Sequence, residues 1–147
     1  MRTRSSHALL LALTLACSTN GVAPRGSLKS AMLRYNAASA QGVSLLAGSL
    51  SLAIHADSTV TGTWVIDWVA GADTTARVGP QVGTGTFGGQ QFADGSVQLN
   101  LNPLYADNNV FLSATVTRDG FSGEWSWSGL PGVLSSGRFT ATYAAAP

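Results

Sequence analysis

Charged side chains are few: eight Lys and Arg and seven Asp and Glu in 147 residues, 10% of the chain, against about 25% in ordinary soluble domains. The near balance leaves no basic footprint for a nucleic acid, and the shortage leaves little for helices laced with ion pairs. Histidine is limited to His7 and His55, and lysine to Lys29. That removes the residue sets a zinc site or a kinase needs. Cys17 is the single cysteine, so no intrachain disulfide can brace the fold. The most apolar stretch, Ala8 to Ala16, has nine residues, far short of the roughly 20 that cross a bilayer as a helix.

What that stretch does fit is a secretory leader. Met1-Arg2-Thr3-Arg4 supplies the positive start and ALLLALTLA the apolar core. Leu13-Thr14-Leu15-Ala16-Cys17 resembles the lipobox of bacterial lipoproteins, with Thr14 where leucine is commonest. The resemblance implies a signal peptide over 1–16, cleavage before Cys17, lipidation of Cys17 and anchoring to the bacterial cell envelope. Because Ser18 rather than aspartate follows, it also implies export to the outer membrane of a two-membrane host. Arg2 and Arg4 would leave with the leader, so six basic residues would face seven acids and net charge would become −1. The aperiodic stretch to Ser27, with Asn20-Gly21 and Pro24-Arg25-Gly26, reads as a tether over 17–27.

Beyond the tether, Leu28, Ala31, Met32 and Tyr35 follow helical spacing behind Ser27 as a candidate N-cap. A short helix to about Ala38, or an irregular lead-in over 28–44, is one expectation; a strand through Met32-Leu33-Arg34-Tyr35 is its rival. From Leu46 the period is two, and a barrel domain is expected over 45–147. A three-residue loop at Asp57-Ser58-Thr59 would pair Leu52 with Trp64 and Gly48 with Trp68. Asp94-Gly95 as a two-residue turn would align Phe92 with Val97; Phe87 then faces inward only if Gly88-Gly89 forms a bulge. Asp119-Gly120 as a turn would pair Ala114 with Trp125 and Leu112 with Trp127.

One short phrase recurs along these strands: a hydroxyl residue, glycine, any residue, then Trp or Phe. The copies are Thr61-Gly62-Thr63-Trp64, Thr84-Gly85-Thr86-Phe87, Ser122-Gly123-Glu124-Trp125 and Ser136-Gly137-Arg138-Phe139. Glycine permits the bending that closure needs, and the aromatic fills the inside. The expected fold is all-β, an antiparallel up-and-down meander of seven or eight strands closed into a small barrel, with a two-layer β-sandwich as the alternative. Val60-Thr61-Gly62-Thr63-Trp64 resembles the strand opening of avidin-type barrels and, more loosely, of lipocalin-like calycins. The resemblance implies architecture; no set of biotin-binding residues accompanies it.

Catalytic candidates are weak. Gly83-Thr84-Gly85-Thr86-Phe87-Gly88 fits G-x-G-x-x-G, but no helix pattern or kinase lysine follows. His55 points outward beside a turn, and Asp57, Asp94, Asp107 and Asp119 sit in turn signals. Asp67 and Glu124 lie mid-strand on the outward parity, with nothing to bring them together as a hydrolase pair. No catalytic residue, metal ligand or cofactor is assigned. The remaining signal is Trp64, Trp68, Trp125 and Trp127, all on the inward parity. They fill a core, or they line a barrel pocket for a small apolar or aromatic ligand; glycine or alanine opposite large residues favours the filled interior. The function expected is that of a non-enzymatic, lipid-anchored envelope protein that either binds such a ligand or serves as a structural or partner-binding module.

Overall fold

In the computed structural model residues 26–145 are described; Cys17, the leader and most of the tether lie outside them. Eight strands follow one another: β1 (Ala31–Ser39), β2 (Ser44–Ile54), β3 (Thr59–Trp68), β4 (Gly83–Gln91), β5 (Ser96–Asn100), β6 (Asn109–Thr117), β7 (Gly120–Gly129) and β8 (Gly132–Tyr143). Each pairs antiparallel with the next, and β1 pairs with β8, so the meander closes into a barrel. Closure leaves no strand without a neighbour on either side, although β4 meets β5 along only part of its length.

The first strand occupies the stretch where helical spacing suggested a helix. Leu33, Tyr35 and Ala37 are buried, while Met32, Arg34 and Asn36 face out. The helical reading fails because a strand here satisfies two ladders at once, with β2 and with β8. Such closure outweighs a weak local pattern.

Three turns differ from their expected form, each for a local reason. Asp57 accepts from the backbone N–H and the hydroxyl of Thr59, and Ser58 takes a positive φ of 67°. The turn therefore spans 56–58, and Leu50 rather than Leu52 opposes Trp64. At the next turn Asp94 clips Ser96 in the same way, with Gly95 at φ 81°. That makes a three-residue loop, pairs Gln91 with Val97 and leaves Phe92 outside, 39% exposed. Phe87 is then inward by plain alternation, and the expected Gly88-Gly89 bulge is absent from an unbroken register. Gly120 belongs to β7, so Arg118-Asp119 is the loop and Leu112 opposes Trp125. Both two-residue register slips preserve the inward face, which is why alternation could not reveal them.

The inward positions form one core that includes Leu33, Leu46, Leu50, Ile66, Leu99, Leu112 and Phe121. Each such fully buried side chain contributes about 1.5–3 kcal/mol relative to exposure. One barrel end carries the tight turns 55–58, 92–95 and 118–119; residues 26–30 lie across it. Leu28 is buried there, its N–H donating to Gln91 Oε1 at 3.2 Å, and Ile54 N–H donates to Ser30 Oγ at 2.9 Å. The other end carries 40–43, 69–82, 101–108 and 130–131, including both long connections.

Candidate functional site

The four copies of the phrase meet as two antiparallel pairs. On β3 and β4, Gly62 opposes Phe87 and Trp64 opposes Gly85. On β7 and β8, Gly123 opposes Phe139 and Trp125 opposes Gly137. Each indole lies over the glycine of the next strand and reaches the backbone beyond it. A Cβ at Gly85 would stand 2.5 Å from Trp64 Cζ2, and one at Gly137 would stand 2.6 Å from Trp125 Nε1. Trp64 Nε1–H donates to Leu101 O, and Trp125 Nε1–H to Ala38 O, each at 2.9 Å. The barrel thus carries two equivalent clasps, four strands apart.

Their surroundings differ. Beside the second clasp, β1 and β8 stay paired from Leu33 to Ser39. Beside the first, β4 pairs with β5 only over Gly88–Gln91, because β5 ends at Asn100 and the chain departs into 101–108. The first half of β4 therefore borders a cleft of about 490 Å³. Trp64 and Leu101 form its floor, Thr84 and Thr86 one wall, and Leu104 and Tyr105 the other. Leu104 is 87% and Tyr105 66% exposed. No charged side chain is among the described residues that line it.

Asn102 is the polar group of note in this cleft. It is 9% exposed, its N–H donates to Asn100 Oδ1 at 2.8 Å, and its Nδ2 donates to Pro80 O at 3.0 Å. Its Oδ1 is shut off from solvent without a donor. A buried acceptor left unmet costs about 1–3 kcal/mol, and this oxygen is enclosed by the protein rather than presented to the cleft.

Next to the cleft, 69–82 closes the same barrel end. Gln81 is fully buried, its Nε2 donating to Val78 O at 2.6 Å while its Oε1 accepts from the Tyr35 hydroxyl at 3.0 Å. Burial pushes the Tyr35 phenol well above its ordinary range. Gly79 lies so close to the Trp127 ring that a Cβ would come within 2.4 Å. The Arg77 guanidinium stands 5.3 Å over that ring, and Trp127 Nε1–H donates to Asn108 Oδ1 at 2.6 Å. Trp68 and Trp127 border a second cleft of about 400 Å³ here, shallower and formed largely by 75–80.

The four tryptophans expected to line one site are thus divided. Trp64 floors the cleft beside β4, Trp68 and Trp127 line the mouth, and Trp125 is buried under an intact ladder. Asp67 on β3 and Glu124 on β7 lie four strands apart, and His55 Nε2 contacts Thr61 Oγ1 at 2.8 Å on the surface. Sequence reasoning missed Asn102, Tyr105, Arg77 and Gln81. The one visible signal was the density of asparagines at 100, 102, 108 and 109, which bracket the β5–β6 connection.

Among the described residues, no helix is long and apolar enough to cross a membrane. The fold and its flank define a class: a small closed eight-stranded up-and-down β-barrel with a cleft in its wall. Comparison of the chain with protein-family models, curated proteins and solved structures gave no match.

Proposed function

We propose that this protein is a non-enzymatic, lipid-anchored envelope protein that binds a small molecule in the cleft over Trp64, outside the barrel rather than within it. The observation that carries the reading is the cleft itself, an uncharged recess where β4 lacks a β5 partner, with Leu104 and Tyr105 exposed along it. The cleft volume lies in the range of about 300–1,000 Å³ usual for small-molecule sites. The barrel interior is occupied by the packed core, which favours the flank over the inside.

Native mass spectrometry of the full chain purified from its own envelope tests the binding. A small molecule that co-purifies, and is lost from Tyr105→Ala while the melting temperature holds, supports the reading. Absence of any such molecule, together with a fragment screen in which no hit depends on Tyr105, overturns it. The anchor is tested separately. Cys17→Ser should move the protein from the membrane pellet to the soluble fraction; an unchanged distribution would contradict lipidation.

A second reading, docking to a protein partner, draws on Leu104, Tyr105, Leu130 and Val133, all exposed at one barrel end. The exposed Val65 and Phe111 do not extend that surface, since β3 and β6 are three strands apart. A co-purifying protein released by Leu130→Ser would favour this second reading.

A further inference from the structure

We infer that the Trp64 cleft takes an internal, uncharged segment of another polypeptide, which adds as a short strand to the free edge of β4. This rests on the binding role proposed for the cleft and names the chemistry of its ligand as peptide main chain.

The edge follows from the ladders. Backbone groups along a strand point alternately to its two neighbours. Gln91 N–H donates to Ser58 O on the β3 side, and Phe92 N–H to Ser96 O on the β5 side. Odd residues of β4 therefore face β3, and even ones face β5. Gln90 and Gly88 meet β5, whose pairing stops at Gly88 opposite Asn100. Thr84 and Thr86 thus each turn an N–H and a C=O into the cleft, with no backbone partner there among the described residues. Two such residues, one apart, are the template that an added strand requires.

Size and charge narrow the occupant. A strand residue fills about 160 Å³, given about 3.3 Å of rise, 4.8 Å between strands and 10 Å between layers. The cleft of about 490 Å³ therefore suits about three residues, the number that pairs with both Thr84 and Thr86. A free tripeptide would place an ammonium and a carboxylate in a cleft whose described walls carry no charge, and nothing there would offset their lost hydration. The segment is therefore internal to a longer chain. It is not this chain's own tether. Gly26 lies beside Val116 and Thr117 at the opposite barrel end, and 17–25 would use about seven residues to reach the level of Thr84. Nor is it the β4 of a second copy, which would carry its own β3 into Leu104 and Tyr105.

Selectivity comes from the floor. The middle residue of the segment lies opposite Gly85 and faces the same side, where the Trp64 indole already fills the place of a Gly85 Cβ. Only a small side chain fits there.

Hydrogen exchange followed by NMR on the full chain in detergent tests this, with the capped pentapeptide acetyl-Val-Thr-Ala-Thr-Val-amide as probe. In the free protein the Thr84 and Thr86 amides should exchange about fivefold or more faster than that of Gly85, and the probe should slow both. N-methylation of the two peptide threonines removes the donors that face β4 and should weaken binding about 25-fold, about fivefold for each bond. Phenylalanine in place of the peptide's alanine should abolish binding. Thr86→Pro removes one edge N–H without touching the β3 ladder and should weaken binding about fivefold; the methylated probes test the same bonds without altering the protein.

Thr84 and Thr86 amides that are slow in the free protein would mean that the edge is already paired and would overturn the inference. Binding indifferent to threonine N-methylation would overturn strand addition and leave the binding role standing. A free Thr-Ala-Thr that binds as well as the capped probe would overturn the internal segment. Failure of the alanine-centred probe and of its glycine- and serine-centred forms would remove the peptide assignment, and the fragment screen with Tyr105→Ala then decides the binding role on its own.

Discussion

The clasp of Trp64 and the clasp of Trp125 share their parts but not their load. Each lays an indole over a glycine and hands its N–H to a carbonyl beyond. At Trp125 the backbone ladder between β8 and β1 already closes the wall, so the indole reinforces a seam that is sewn. At Trp64 the ladder between β4 and β5 has stopped short, and the side-chain bond to Leu101 takes its place. The lesson is that a side-chain bond can substitute for a ladder and, in doing so, leave the wall open on its outer side. The cleft lies where that substitution was made.

Alanine in place of the two clasp glycines should separate the walls most strongly. At Gly137 a Cβ would come within 2.1 Å of Ala38 O, a backbone atom fixed in the β1–β8 ladder. At Gly85 the nearest atoms belong to the Trp64 ring, and this part of β4 has no β5 partner to hold it in place. Gly137→Ala should therefore cost about 3 kcal/mol or more, near the upper end of overpacking effects, and Gly85→Ala about 1–2 kcal/mol. Urea denaturation of both variants measures the gap. Equal costs would mean that the β4 flank is as rigid as the β8 flank.

Removing the indole N–H should reverse the ranking. Trp64→Phe leaves Leu101 O without its side-chain donor, and Leu101 is 1% exposed; with the lost ring volume the expected cost is about 2–3 kcal/mol. Trp125→Phe releases the carbonyl of Ala38, which is only half-buried and lies within a paired strand, so about 1–2 kcal/mol is expected. The two experiments cross: the glycine variants probe rigidity, the tryptophan variants probe dependence. A larger loss at Trp125 would break the view that Trp64 replaces a ladder.

Much of this frame can be read in the residues alone. Period-two alternation places Trp64, Trp125 and Phe139 inside, and the recurrence of Gly two residues before each marks where the barrel bends; Phe87 is brought inside in that reading only by a bulge that the register does not contain. Alternation is blind, however, to slips of two residues, so it could not show that Trp64 faces Gly85 while Leu50 lies on its other side. Nor could it see that Asp94 clips Ser96 and turns Phe92 outward. The cleft was least legible, for a physical reason. It arises from pairing that β4 and β5 do not make, and the end of a ladder is decided by how 101–108 packs rather than by any motif within it.

Tyr35 links the two sides and gives the comparison a pH axis. Its ring stacks on Phe139 of the second clasp at 5.7 Å, and its hydroxyl holds Gln81, two residues ahead of β4. Burial raises its folded pKa above the unfolded value near 10. The unfolded chain thus gives up this proton first, and stability should be level below about pH 10 and fall above it, by up to about 1.4 kcal/mol per pH unit. Tyr35→Phe should be less stable at neutral pH, with Gln81 Oε1 left unmet, yet flatter above pH 10 in parallel urea melts. The acid arm should be shallow: Asp57 and Asp73 are held below their ordinary values chiefly by the hydroxyls of Thr59 and Thr75. Their contribution is present above about pH 4 and lost below it, and both carboxylates are fully exposed.

The smallest expected effect sharpens the contrast furthest. In ligand-free protein, Asn102→Ala loses the bond from Nδ2 to Pro80 O but also removes the unmet Oδ1. A lost hydrogen bond of about 1 kcal/mol against a relieved penalty of about 1–3 kcal/mol leaves a net change between zero and about 2 kcal/mol in the stabilising direction. A residue kept for packing alone would not behave so, because deleting a satisfied, nearly buried polar side chain destabilises. Urea melts of the parent and the variant decide it. If Asn102→Ala costs about 2–3 kcal/mol, its oxygen already has a partner. If the variant is as stable as the parent or more so, the chain between β5 and β6 carries an unmet acceptor beside the open clasp, and the departure from the ladder that opens the wall has a cost the closed clasp does not bear.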